Sequence, residues 1–229
     1  MSASDPIAGA VVHGGHGVTA GDQVLPEPGG SFWDGGAFPY AIPSKKLGMW
    51  LFVVSDAITF SAALFAYGYL RLASPDWPRP FQVSPSIINA SVMTFVLLSS
   101  SVAMVLAVRA SGLGQVKKAV GWILATAAGG VLFDILHLRE WMGLIHEGVS
   151  PSHNPWGTPM FGSAFFGLTG LHMLHVTIGV IYLLIIAVGF GRKKFSSVDV
   201  EVSGLYWHFV DLVWMFIFPL VYLLSAKMS

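Results

Sequence analysis

Five stretches of the chain are apolar over the roughly 20 residues that a helix needs to cross a bilayer core: residues 47–72, 85–108, 119–144, 161–190 and 202–224. Every break between them holds glycine, proline or charge. Lys45 and Lys46 precede the first stretch, and Ser84-Pro85 opens the second. A proline suits the first turn of a helix, where its missing N–H would have no partner anyway. Arg109 closes the second stretch, and Lys117 and Lys118 precede the third. No internal repeat or heptad runs through the pattern, so it lacks the symmetry of inverted-repeat transporters. The predicted fold is an all-α integral membrane protein, a bundle of five transmembrane helices over residues 46–229. Residues 1–45, with nine glycines and five prolines among scattered polar residues, are predicted to be a disordered or extended cytoplasmic tail.

Composition agrees with this pattern. Hydrophobic residues make up 54% of the chain and charged residues 10%, too few to coat a soluble domain. The formal net charge of zero offers no global attraction to nucleic acid. Cysteine is absent, which removes disulfides, thiolate zinc sites, iron–sulfur ligation and cysteine-based copper centres. His13 and His16, in the tail's HGGHG element, lack the further ligands that would fix a metal.

Lys and Arg set the expected orientation, because short cytoplasmic loops keep positive charge. One set of loops holds Lys45, Lys46, Arg109, Lys117, Lys118, Arg192, Lys193 and Lys194; the other holds Arg71, Arg79 and Lys227, with Arg139 near the end of span three. The first set is expected inside, which places the N-terminus in the cytoplasm and the C-terminus outside.

Ionisable groups within these spans are the candidate functional residues, because a charge at the bilayer centre costs about 2.5–3.5 kcal/mol on insertion scales. At about 1.5 Å per residue, Asp56 of span one falls near the depth of His208 and Asp211 of span five. Further out, His137 of span three and His172 of span four share a depth, with Asp134, Glu140 and His175 close by and Asn89 entering from span two. Spacings of three put His172 with His175, His208 with Asp211, and Asp134 with His137 and Glu140 on common helix faces. Three uses remain open on these grounds: hydrogen bonds that fix helix packing, contact with lipid head groups or another subunit, and haem ligation by His137 and His172. Trp207 and Trp214 read as packing or interfacial anchors, Gly167, Gly170 and Gly179 as points of close helix approach, and Pro219 as a kink.

Several segments carry a family resemblance. Gly204-Leu-Tyr-Trp-His-Phe-Val-Asp-Leu-Val-Trp214 resembles the last-helix signature of subunit III of the haem-copper oxidases, and Gly167-Leu-Thr-Gly-Leu-His-Met-Leu-His-Val-Thr-Ile-Gly179 resembles its penultimate helix. Leu47-Gly-Met-Trp-Leu-Phe-Val-Val-Ser-Asp56, Ile88-Asn-Ala-Ser91 and Leu138-Arg-Glu-Trp141 match in order. The resemblance marks Asn89, Glu140, His172, His175, Trp207, His208, Asp211 and Trp214 as family positions, and Asp56 as a departure where the family usually carries glutamate. Five spans in place of seven resemble the shortened bacterial members. The resemblance implies a chain without haem or copper of its own, packed directly against the catalytic subunit I and other oxidase subunits, which carry those cofactors. It also implies bound phospholipid, support for proton uptake through Asp56, His208 and Asp211, and residence in the bacterial plasma membrane.

Two other functions compete with this reading. A membrane haem b carrier would use His137 and His172 as axial ligands, and a small proton-coupled transporter would use the buried carboxylates.

Overall fold

The computed structural model describes residues 42–158 and 160–227. His13, His16 and nearly all of the predicted tail lie outside the described residues. The chain forms α1 (Ser44–Ala73), α2 (Ile88–Gly112), α3 (Val116–His146), α4 (Met160–Gly191) and α5 (Ser197–Ile217). A wide turn, Val83–Ile87, leads into α2, and a π-helical turn, Phe218–Leu223, continues α5. With these turns counted, all five helices are long and apolar enough to cross a membrane. The chain is therefore the all-α five-helix membrane bundle that the hydrophobic pattern predicts.

Local chemistry explains the boundaries. α5 starts at Ser197, more than a turn before the apolar stretch at Val202, because the Ser196 N–H and hydroxyl both donate to the Asp199 carboxylate. Between α2 and α3 the chain reverses within three residues. There Gly114 sits at φ +69°, and the Gln115 N–H reaches back to the Ala110 carbonyl, closing a Schellman turn. Pro219 lies where α5 changes to the π turn, since its ring cannot continue the α-helical ladder.

α5 is the centre of the bundle and α1 its edge. In the apolar stretch of each helix, 56% of residues are buried in α5 and 6% in α1. α5 packs against α1, α2 and α4, while α3 packs between α2 and α4. The largest fully buried side chains include Trp207, Trp214, Phe133, Phe161 and Tyr222. Their rings meet mostly edge to face, as with Phe133 and Trp214 at 4.8 Å and 85°.

Lipid tails are as apolar as leucine, so close backbone approach and interhelical hydrogen bonds must hold such a bundle together. α2 meets α3 at Ser100 and Gly129, where a Cβ on the glycine would lie 2.7 Å from that of Ser100. Gly130 lies under the Trp207 indole and Gly179 under Tyr206 and Trp207. Gly170 meets Trp141, whereas Gly167 has nothing within 4 Å. The expectation of close approach thus fails at Gly167, whose face of α4 turns away from the neighbouring helices.

The contact at Gly130 generates a prediction. A Cβ there would sit 2.5 Å from Trp207 and 2.6 Å from Val180. Gly130→Ala should therefore destabilise the bundle by about 1–3 kcal/mol, the usual range for overpacking. Gly121→Ala, with open space around it, should be neutral or slightly stabilising. Thermal midpoints in mild detergent compare the two, and equal midpoints would show that α5 does not press on α3 here.

Candidate functional site

The polar side chains of the spans are distributed around α5 according to which face of that helix they meet. Trp207 and Trp214, seven residues apart on one face, are fully buried, and each ends on a hydroxyl of α2. The Trp207 indole N–H donates to Ser100 Oγ at 3.0 Å and that of Trp214 to Thr94 Oγ1 at 2.9 Å. A neighbouring face carries His208 and Asp211. His208 Nδ1 lies 2.6 Å from the Ser101 hydroxyl, while both carboxylate oxygens of Asp211 are buried with no hydrogen-bond partner among the described residues. Tyr206, toward α4, donates its hydroxyl to the backbone carbonyl of His175 at 3.0 Å.

Asp56 pairs with α4. Its Oδ2 lies 3.2 Å from His175 Nε2, and both side chains are nearly buried. The depth argument groups Asp56 with His208 and Asp211; the fold turns it instead toward His175. Position along a helix fixes only the axial coordinate, and α1 lies against α4 and α5, so its inward face meets His175. His175 Nδ1 donates to the Leu171 carbonyl at 2.7 Å, and the Asp56 Oδ2 beside Nε2 is buried with no hydrogen-bond partner among the described residues. Phe60, buried one turn along α1, packs edge to face on the His175 ring at 5.0 Å.

His137 and His172 are both fully buried and both pack against Phe133 and Trp214, at ring separations between 5.2 and 5.7 Å. His172 Nε2 donates to the Val210 carbonyl at 3.2 Å. The haem-carrier reading does not fit this geometry: Phe133 and Trp214 fill the space beside both imidazoles where a porphyrin would lie, and His172 Nε2 is already engaged. Both nitrogens of His137 and Nδ1 of His172 have no partner among the described residues. Among the described residues, no three His, Cys, Asp or Glu side chains are grouped to hold a metal ion.

The spacing that placed Asp134, His137 and Glu140 on one face leads to three different surroundings. Asp134 accepts from Thr177 of α4 at 3.0 Å, His137 enters the aromatic core, and Glu140 accepts from Tyr222 at 3.1 Å. Asn89, whose amide meets the Met93 sulfur at 3.4 Å, lines a cavity with Glu140 between the start of α2 and the end of α3.

Sequence reasoning missed the acceptors and donors that complete this network: Thr94, Ser100 and Ser101 of α2, Thr177 of α4 and Tyr222. The run Ser99-Ser100-Ser101 inside an apolar stretch was the available signal, since two of its three hydroxyls face α5. Isolated hydroxyls such as Thr94 carry no such mark, because a serine or threonine in a span satisfies itself on the preceding turn as readily as it meets a neighbour.

Fold and site together define a polytopic helical membrane protein in which several buried polar groups, Trp207, Trp214, His172 and Tyr206 among them, bond across helices. The chain belongs to the cytochrome c oxidase subunit III family, whose model matches residues 41–226. It is 33% identical over 182 residues to the quinol oxidase subunit 3 of Bacillus spizizenii, covering 78% of this chain and 86% of that protein. It is 31% identical over 186 residues to the cytochrome c oxidase subunit 3 of Alkalihalophilus pseudofirmus, covering 80% and 88%. With the cytochrome bo(3) ubiquinol oxidase subunit 3 of Pseudomonas aeruginosa it shares 30% over 185 residues, covering 78% and 84%.

The Trp207 to Ser100 bond yields a prediction separable from packing. Trp207→Phe should cost the lost indole area plus a bond worth about 0.5–1.5 kcal/mol. If the hydrogen bond is energetically real, Ser100→Ala should cost less in the Trp207→Phe background than in the wild type. A double-mutant cycle on thermal stability measures the difference, and strict additivity would deny the coupling.

Proposed function

We propose that this chain is the non-catalytic subunit III of a bacterial haem-copper terminal oxidase, an enzyme that reduces oxygen to water and translocates protons. In this reading it packs against the catalytic subunit I, which with the other subunits carries the haem and copper. This chain stabilises that subunit, holds phospholipid and supports proton uptake. The family match across nearly the whole described region carries the reading. The approach of the Asp56 carboxyl to the His175 imidazole across helices supports it, because an acid and an imidazole in contact can pass a proton. The N-terminus faces the cytoplasm and the C-terminus the outside, in line with the Lys and Arg clustered at the end where α1 begins.

Within this function Asp56 and His175 form the proton-holding pair, and Ser101, His208 and Asp211 form a second polar cluster about α5. Aspartate, one methylene shorter than the family's glutamate, reaches His175 because α1 lies close to α4 at that level. Asp56→Asn keeps the size and removes the carboxyl, so it should slow proton uptake and speed inactivation during turnover, each by about two- to tenfold, a change of up to about 1.4 kcal/mol. Steady-state oxygen consumption and stopped-flow proton uptake in the assembled oxidase measure both; identical profiles for variant and wild type would remove the proposed role.

Co-purification tests the subunit assignment itself. Extracted in mild detergent, an oxidase subunit leaves the membrane with larger haem- and copper-bearing partners, whereas a transporter runs alone.

A further inference from the structure

Asp134 lies near the middle of α3 and Thr177 near the middle of α4, where the two helices meet at the outer surface of the bundle. The Thr177 hydroxyl is 3.0 Å from Asp134 Oδ2 and 2.9 Å from the Met173 carbonyl, so two acceptors share its single hydrogen. Asp134 Oδ1 is buried with no hydrogen-bond partner, and the carboxylate takes part in no ion pair among the described residues. The other carboxylates of the spans turn inward: Asp56 meets His175, Glu140 meets Tyr222, and Asp211 is buried. Asp134 is joined instead to an exposed threonine, and Val131, Leu138, Leu174 and Ile181 around the pair are exposed as well.

A charge at this depth is costly, and ionisable groups within spans face the interior of a bundle and pair there. This chain cannot supply the pairing cation. In its five apolar stretches the Lys and Arg residues are Arg71 and Arg139, both toward the ends. A second copy of the chain brings no lysine or arginine to mid-membrane depth either. The surface beside the pair has the shape for a helix. From Asp134 toward the start of α3, a groove of about 410 Å³ runs between α3 and α4, lined by Ala127, Ala128, Val131, Val180 and Leu184. Small side chains at such a groove let a neighbouring helix come close.

Resting on the reading of this chain as one subunit of a membrane complex, we propose that the α3/α4 face docks a transmembrane helix of another chain that carries one lysine or arginine at mid-membrane depth. The helix lies in the groove, and its cation donates to Asp134 Oδ2 and balances the carboxylate. Asp134 is not among the positions that carry the family resemblance, so this contact is particular to this chain.

In the complex extracted in mild detergent, p-benzoylphenylalanine in place of Ile181, one turn from Thr177, should photo-cross-link to a helix with Lys or Arg in its central turns. Native mass spectrometry then counts that chain. Asp134→Asn keeps an acceptor and removes the charge, and should lower its retention on the order of tenfold. Asp134→Glu should keep most of it. Asp134→Lys should abolish retention, and exchanging the partner's basic residue for Asp should restore it. Thr177→Val, which removes the bond within this chain, should leave retention nearly unchanged. Equal losses in Thr177→Val and Asp134→Asn would assign Asp134 to the packing of α3 on α4 and overturn the proposal. So would cross-links confined to lipid or detergent, or a cross-linked helix with no basic residue at its centre. Retention unchanged in Asp134→Asn overturns it too, since a neutral amide would then serve as well as the carboxylate. A wild-type chain that leaves the membrane alone fails the subunit reading itself, an outcome distinct from an intact complex indifferent to residue 134.

Discussion

A polar group in hydrocarbon has no water to fall back on, and this bundle is arranged around meeting that demand from within. α5 does most of it. Its two tryptophans end on α2 hydroxyls, its Tyr206 reaches a carbonyl of α4, and a carbonyl of its own accepts from His172. Each bond by itself is worth about 0.6–2 kcal/mol in a membrane. Their collective effect is to fix the rotation of α5, since only one rotation lets both indoles find hydroxyls while His208 finds Ser101. The glycines beneath Trp207 serve the same end from the steric side, by leaving the indole the room that its bond requires.

α1 is held differently. It buries little surface and is tied at three levels by polar contacts. Lys45 pairs with Asp199 at 2.7 Å and Lys46 with Glu201 at 2.5 Å at its start, Asp56 meets His175 midway, and Arg71 binds Ser225 and the Leu224 carbonyl at its end. Lys46 and Glu201, both partly exposed, contribute little, as surface ion pairs do. The Asp199 carboxylate is nearly buried, as are both side chains of the midway pair. The element that carries Asp56 is thus also the one least committed to the core, with an apolar outer face.

The core between α3, α4 and α5 shows a different use of histidine. His137 and His172 lie among aromatic rings, where a neutral imidazole packs as a flat, polarisable group, and only His172 donates a hydrogen bond to a described partner. Their burial makes them part of the packing, whereas His175, one turn along from His172, faces α1 and lies against an acid. The same residue type on one helix face therefore does two jobs, set by whether the face at that level meets α5 or α1.

The hydrophobic pattern by itself determined that there are five spans, where most of them begin and end, and which polar residues must turn inward. Burying a charge in lipid costs enough to be read from a linear sequence. The motifs around Asp56, His172 and His208 likewise carried the family. What the sequence could not contain was rotation about each helix axis and the choice of neighbour. Depth grouped Asp56 with His208 and Asp211, yet packing turned it toward His175. Spacing put Asp134, His137 and Glu140 on one face, yet that face spans a helix neighbour, an aromatic core and a cavity. The hydroxyls of Thr94, Ser100 and Tyr222 became visible only in three dimensions, because a hydroxyl is cheap to place anywhere in a span and gains meaning only from the side chain it faces.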